Sequence, residues 1–423
     1  MHAVIERLTY PQHSRSALLR CAVLAYWFDN GFSRMLERVP VHGMQTLFEL
    51  QKTTKAYFGF FPAPGMRNIL NGVNEPALRF ILSCTPVPSM VDFLMPLVDP
   101  LNRYIDYLRI SVTDRCNLNC VYCKPRERMK ALPHREILQY EEILRLVTVA
   151  APLGISRVRI TGGEPLIRRG IVDFISSLAQ CRDIQDISLT TNGVLLEEKL
   201  DALIAVGRPR LNISLDSLNP ERFRRITGSD SWDRVWRGIC RAEELGFHPL
   251  KINMVPVRGI NDDEIADFAR LTLDRRLHVR FIEFMPIGAG DRWNTEVCVT
   301  AGQVREIIER EVGRLEPFTS GTGAGPSENH QIPGARGVIG FISPITKHFC
   351  ATCRRLRLTA DGKIRPCLLS DTEIDIKSPL RGGCDDKELE RLLRLALEVK
   401  PERHYINETP AGCYQRTMSG IGG

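Results

Sequence analysis

From residue 107 onward, short apolar, β-branched runs alternate with longer amphipathic stretches. The runs fall at 107–112, 157–161, 187–191, 210–215, 250–255 and 279–284, each with the length and composition of a buried strand. Between them, 140–153, 171–179, 196–206, 232–245 and 262–273 carry apolar residues at helical spacing. Gly154, Gly207 and Gly246 follow three of these helices, where a left-handed residue is wanted. Asp262 predicts a capped start for the last helix. Six βα units in a row imply a parallel sheet with helices packed on it.

An open doubly wound sheet and a barrel, complete or partial, both satisfy that rhythm. The polar residues choose between them. Strand after strand is followed by an unusual set: 116–123, Gly162-Gly163-Glu164-Pro165, Asn192-Gly193, Asp216-Ser217 and Met285-Pro286. Parallel barrels gather a site at the C-terminal ends of many strands, whereas an open sheet uses one switch point. The fold class is therefore α/β, a partial (β/α)6 TIM-like barrel. After residue 312 the rhythm weakens. Residues 318–337 are rich in Gly, Ser, Thr and Pro and read as a long loop, 340–344 leads into a second cysteine group, and 386–399 predicts a final helix. The organisation expected is an N-terminal extension (1–94), the partial barrel (95–311) and a C-terminal region (312–423).

Residues 1–94 show no βα rhythm. They read as sequence upstream of a start at Met90 or Met95, as a transit segment, or as a docking piece. Glu6, Asp29, Glu37 and Glu49 weigh against a transit segment, since such peptides are poor in acids. No uncharged apolar run is long enough to span a bilayer, and Arg20 and Asp29 flank or interrupt the only early apolar stretch. A cytoplasmic location is expected (mitochondrial matrix in a eukaryote), with no membrane partner.

Charge narrows the partner only slightly. A net +7, from 57 basic and 50 acidic residues, suits an anionic small substrate or a nucleic acid. Cysteine says more. Six of the 13 sit in two groups, Cys116-x3-Cys120-x2-Cys123 and Cys350-x2-Cys353-x13-Cys367, a usage that reads as metal ligation. Thiolates hold iron–sulfur cubanes, and three ligands for four irons leave one iron open for chemistry. Two zinc readings compete: Cys120 and Cys123 joined with Cys350 and Cys353, or a Cys3His site completed by His348. Beside the second group, Leu356 and Leu358 alternate with Arg355, Arg357 and Thr359, which puts the two arginines on one face of a strand. Such a pair is a fork for phosphate or carboxylate. The arginine-rich stretch 354–365 has no aromatic residue, so the interleaved stripe of a nucleic-acid binder is missing and no nucleic-acid partner is expected. There is no P-loop motif, and 321–325 reads as loop only. Gly162-Gly163-Glu164-Pro165 lets backbone approach a ligand, and its carboxylate could take an ammonium group.

The three-cysteine motif with Tyr122, followed by Gly-Gly-Glu-Pro, resembles the radical S-adenosylmethionine superfamily. Longer strings are more specific. They are Tyr107-Leu-Arg-Ile-Ser-Val-Thr-Asp-Arg-Cys116, Arg159-Ile-Thr-Gly-Gly-Glu-Pro-Leu166, Leu189-Thr-Thr-Asn-Gly193, Asn212-Ile-Ser-Leu-Asp216 and Phe349-Cys-Ala-Thr-Cys-Arg-Arg-Leu-Arg-Leu-Thr-Ala-Asp-Gly362. With the Gly-Gly terminus they resemble molybdenum cofactor biosynthesis protein A, the family of GTP 3′,8-cyclases, over about residues 95–423.

The resemblance implies two [4Fe–4S] clusters, on Cys116, Cys120 and Cys123 and on Cys350, Cys353 and Cys367. It implies S-adenosylmethionine on the open iron of the first, cleaved to a 5′-deoxyadenosyl radical that takes the 3′ hydrogen of GTP. Ring closure to C8 then gives 3′,8-cyclo-7,8-dihydro-GTP, which a downstream cyclic pyranopterin monophosphate synthase consumes. Tyr122, Gly163, Ser214 and Met285 would contact S-adenosylmethionine. Arg109, Arg159, Thr190, Lys251, Arg355, Leu356 (through its backbone) and Arg357 would contact GTP. In the family, the second open iron meets the guanine and the Gly422-Gly423 tail reaches the active site. Lys124 departs from the methionine of many relatives without touching a ligand. No individual catalytic residue or electron donor is indicated, and the oligomeric state is left open, with a homodimer the assembly considered. The related peptide-modifying enzymes need more C-terminal cysteines than this chain offers.

Overall fold

The computed structural model describes residues 95–123, 131–287, 294–319, 325–405 and 416–422. All of them lie in the unit Phe93–Gly423. The expectations for 1–94, Lys124, 321–324 and Gly423 fall outside the described residues.

The six predicted strands are present: β1 (Tyr107–Ser111), β2 (Arg157–Thr161), β3 (Asp186–Thr191), β4 (Arg210–Ser214), β5 (Leu250–Met254) and β6 (Leu277–Ile282). They are neighbours in that order, and every pairing is parallel. The helices between them are α1 (Tyr140–Ala150), α2 (Ile171–Gln180), α3 (Leu196–Ala205), α4 (Pro220–Thr227), α5 (Trp232–Glu244) and α6 (Ile265–Asp274). Gln139 and Glu142 form a capping box that starts α1, and Gly246, at φ +74°, ends the α5 turn as expected. Asp262 does not cap α6. Its carboxylate accepts from Gly259 N at 2.7 Å, and a 3-10 turn precedes the helix.

The chain after 312 joins the same sheet. After α7 (Ala301–Glu311) come β7 (Glu316–Pro317), β8 (Glu328–Gln331), β9 (Val338–Ile342), β10 (Arg355–Leu358), β11 (Lys363–Arg365) and β12 (Ile374–Asp375), then α8 (Lys377–Arg381), α9 (Asp386–Glu398) and α10 (Met418–Ile421). Strand β9 adds in parallel to β6, and β10 in parallel to β1, so the six-stranded arc is extended on both sides. β8 corrects the expectation of a loop throughout 318–337. Its Glu-Asn-His-Gln sequence has no apolar alternation, yet His330 is buried edge-on against Phe341, 5.5 Å between ring centroids.

One core lies between the sheet and the helices. Leu108, Ile110, Val158, Ile160, Leu189, Ile213, Ile252, Val279, Leu356 and Leu358 face it from the strands. Phe174 of α2 stacks on Tyr140 of α1 with centroids 4.5 Å apart. Truncating such a buried aromatic costs about 3–5 kcal/mol. Because successive residues on a strand point to opposite faces, this apolar face commits the alternate residues to the sheet's other side.

Candidate functional site

That other face is polar and basic. Its residues stand in register rows: Arg357, Arg109, Arg159 and Ser188 form one, Thr190, Asn212, Lys251 and His278 a second, and Ser214, Asn253 and Arg280 a third. Tyr107 pairs with Arg355 one step below Arg109. The residues expected to contact GTP are thus brought together on one face, and Arg280 joins them. Leu356 has its side chain in the core, so only its backbone can face the site.

Cations near the strands' N-terminal ends are paired: Arg157 with Asp106 at 2.6 Å, Arg354 with Asp106 at 2.5 Å, and Arg210 with Asp186. Farther along, among the described residues, no carboxylate makes an ion pair with Arg159, Lys251, Arg280, Arg355 or Arg357. Burial, then the neighbouring cations Arg280, Arg210 and Arg159, push the Lys251 ammonium down to about 6. Burial and Arg159 likewise bring Arg280 to about 9, and burial and Arg355 bring Arg357 to about 9. Burial, then Arg280 and Lys251, hold His278 at about 4. Guanidinium groups do not give up their proton in proteins, so an anion bound here would offset the crowding of charge. Among the described residues, Thr190 Oγ1, Asn212 Oδ1, Asn253 Oδ1 and Arg280 Nε are buried there and find no hydrogen-bond partner. Such a surface is built for a polar, multiply charged anion.

The first cysteine group lies on the loop after β1. Gly163 sets its height: Gly163 N donates to Thr113 O at 2.7 Å, and Glu164 N donates to Arg115 O at 2.8 Å. A Cβ on Gly163 would meet Arg115 O at 2.2 Å, so glycine is required for this approach. Cys116 Sγ accepts from Leu118 N at 3.4 Å and from Asn192 Nδ2 at 3.6 Å. Burial pushes the Cys120 thiol well up, and Cys123, Asp216 and Cys116 add to the shift. The three half-buried thiols lie near enough to feel one another's charge, which suits an iron–sulfur centre held by thiolates. Among the described residues, no three His, Cys, Asp or Glu converge on a single ion position.

Tyr122 donates its hydroxyl to Asp216 Oδ2. Asp216 also accepts Val255 N at 2.9 Å, and burial raises its carboxyl to about 6. Tyr122 and Phe284 meet edge to face over a small apolar pocket that also includes Val121, Val257 and Ile260. Ser214 ends β4 and Met285 follows β6, so both lie at the same end of the sheet as the cysteine loop. The Glu164 carboxylate is held by the chain itself. It is fully buried and accepts from Leu166 N at 3.0 Å, Thr191 Oγ1 at 2.8 Å and Asn192 N at 2.6 Å. Its carboxylate ties the glycine turn to the end of β3, and through Asn192 to Cys116.

The second group borders β10 and the C-terminal tail. Burial would raise the Cys353 thiol, but Lys400, Arg355 and the Arg355 backbone bring it down. Cys367 packs with Leu368 and Met418 on a small cluster of Ile287, Leu369 and Ile421. The tail then turns at Gly422, whose carbonyl accepts from Arg357 Nη1 at 2.8 Å. His348 faces His404, 5.5 Å between rings. Sequence reasoning singled out Asn192 and Asp216 as strand-end residues without giving them a role, and it missed Arg280 and Lys400. The alternation along β6 could have found Arg280.

Two family models cover this unit. The Radical SAM superfamily matches residues 110–272, and Molybdenum Cofactor Synthesis C matches residues 277–406. A GTP 3′,8-cyclase of Heliobacterium modesticaldum is 50% identical over 327 residues, 77% of this chain and 100% of that protein. The chain belongs to the GTP 3′,8-cyclase family. A relative of the same name from Gloeobacter violaceus is 50% identical over 324 residues, 75% of this chain and 99% of that protein. GTP 3′,8-cyclases are radical S-adenosylmethionine enzymes, and membership accounts for an iron–sulfur loop and a polyanion face in one barrel. Among the described residues, no helix is long and apolar enough to cross a membrane.

Proposed function

We propose that this chain converts GTP to 3′,8-cyclo-7,8-dihydroguanosine 5′-triphosphate, the first step of molybdenum cofactor biosynthesis. The observation that carries the reading is the set of buried or half-buried cations Arg159, Lys251, Arg280, Arg355 and Arg357, which among the described residues make no ion pair with a carboxylate, on one sheet face of a chain that also carries two three-cysteine groups. Cys116, Cys120 and Cys123 would hold one [4Fe–4S] cluster, and Cys350, Cys353 and Cys367 a second. When bound, the first cluster and S-adenosylmethionine supply a carbon-centred radical able to take hydrogen from an unactivated C–H bond.

The residues of the chain do the rest. Arg109, Arg159, Lys251 and Arg280 neutralise the triphosphate, and Thr190 Oγ1 with the acceptors Asn212 Oδ1 and Asn253 Oδ1 offers hydrogen-bond partners to the ribose hydroxyls. Arg355 and Arg357 reach the nucleotide beside the second group. Tyr122, Gly163, Ser214 and Met285 line the S-adenosylmethionine end, with Asp216 fixing the Tyr122 ring. These residues would hold the ribose toward the S-adenosylmethionine end, and the apolar pocket beside Tyr122 and Phe284 would exclude water there. The barrel (95–311) thus supplies the radical end and the C-terminal region (312–423) the second group. An electron donor delivers the reducing electron, a downstream cyclic pyranopterin monophosphate synthase takes the product, and the setting is cytoplasmic.

Replacing Arg159 or Lys251 with Ala tests this assignment. KM for GTP should rise tenfold or more while KM for S-adenosylmethionine stays put. An unchanged KM for GTP in both variants would remove the cationic face from the reading.

A further inference from the structure

Lys400 lies two residues beyond the end of α9 and is only 6% exposed. Its ammonium touches three points around the second cysteine group: Cys353 Sγ at 3.7 Å, Arg355 O at 2.9 Å and Pro366 O at 2.5 Å. These belong to the Cys350–Cys353 turn, the start of β10 and the residue before Cys367. Among the described residues no carboxylate forms an ion pair with Lys400, and the ionisable group its ammonium meets is the thiol of Cys353.

Arg103 makes the contrast. It also reaches this region, donating from Nη1 to Cys350 O and Glu402 O at 3.0 Å each and from Nη2 to Pro401 O at 2.8 Å. Its charge, however, is met by Asp99 at 2.5 Å, with both side chains buried. Arg103 therefore fixes the 400–402 segment without adding net charge. Lys400 brings a whole positive charge into a buried place. Such a charge is costly unless an anion compensates it. A fixed positive charge beside a cluster also favours its more reduced, more negative state, since charge and hydrogen bonds to the sulfurs set cluster potentials.

We propose that Lys400 is a positioning residue for the second cysteine group, whose ammonium draws Cys353, β10 and Pro366 together and raises the reduction potential of the cluster held there. The inference rests on the reading that Cys350, Cys353 and Cys367 hold a cluster, and deepens it.

The test uses the full chain with Cys116, Cys120 and Cys123 all replaced by Ser, so that only the second group can bind iron. It is reconstituted anaerobically with iron and sulfide, and the midpoint potential is read by spectroscopic redox titration. With Lys400 intact, about four irons per chain are expected. Lys400→Met should keep the iron and shift the midpoint to a more negative value, while Lys400→Arg should stay near the starting value. Iron lost in Lys400→Met but kept in Lys400→Arg would support the same role through its holding part. An unmoved midpoint in Lys400→Met at full iron content overturns the inference and leaves the cluster standing. Loss of iron in both variants overturns it too, since packing rather than charge would then be the cause. No iron with Lys400 intact would overturn the second cluster itself, and the inference with it.

Discussion

Arg357 donates through Nη1 to the carbonyl of Gly422, 2.8 Å away, so the end of the chain touches a cation of the substrate face. Gly422 has φ +82°, and a Cβ there would lie 2.6 Å from Thr161 Oγ1 and 2.8 Å from Ser111 Cβ. The tail is anchored by Arg416. That guanidinium spans Asp361 Oδ1 and Oδ2 at 3.0 and 2.8 Å and reaches Glu373 Oε2 at 2.8 Å. Arg416→Ala should free the tail. Carboxypeptidase should release C-terminal residues faster, and KM for GTP should rise about tenfold, equivalent to about 1.4 kcal/mol. Wild-type rates in both assays would show that the anchor is dispensable.

Gly163→Ala should cost more. The methyl group would push the Arg115 carbonyl away and carry Cys116 with it. Iron per chain should fall by about half after reconstitution, with the second group still loaded, and S-adenosylmethionine binding should be lost. Full iron content would mean that the turn yields without moving the loop.

Lys251 makes GTP binding depend on pH. Burial and the surrounding cations hold its ammonium at about 6 in the free site, so above that pH it is neutral. A triphosphate beside it restores a higher value, and binding then takes up a proton. Between about pH 6 and the ordinary lysine range near 10, affinity should therefore fall as pH rises, by at most about tenfold per unit. Calorimetry at about pH 8 in buffers of different ionisation enthalpy reads the uptake. Lys251→Met should abolish it, and no uptake in the parent protein would contradict the assignment.

The two cysteine groups should separate by function. Cys116→Ser should abolish cleavage of S-adenosylmethionine. Cys367→Ser should leave slow cleavage without GTP conversion. Cyclisation at the parent rate in Cys367→Ser would remove the second group from the chemistry.

Much of this site was legible along the chain because its parts are local. The cysteine spacing, the glycine turn and the alternation of Arg355 and Arg357 with leucines each lie within a few residues. The first five strands and their helices followed from apolar periodicity. β6 runs Leu277–Ile282 rather than 279–284, because Phe284 continues the apolar run into a loop where it packs on Tyr122. What was hidden depends on distant pairing. β9 and β10 join opposite sides of the six-stranded arc, and no local pattern announces a partner more than 50 residues upstream or, for Arg357, 248 residues upstream at Arg109. Arg280 shares a strand with Val279 and Phe281 and looks like a surface residue until the register sets it beside Asn253. Lys400 follows a charged helix and acquires meaning only through Cys353. Glu164 was read as a ligand for an ammonium group, yet Thr191 and Asn192, far along the chain, already occupy its oxygens.

The central claim is that a radical generated at the first cysteine group is spent on GTP. Anaerobically reconstituted, reduced protein mixed with S-adenosylmethionine, with and without GTP, tests it most directly by chromatography of 5′-deoxyadenosine and of the nucleotide. The account predicts 5′-deoxyadenosine that rises with GTP, and loss of GTP to a product of the same mass. Formation of 5′-deoxyadenosine indifferent to GTP, with the nucleotide recovered intact, would contradict it.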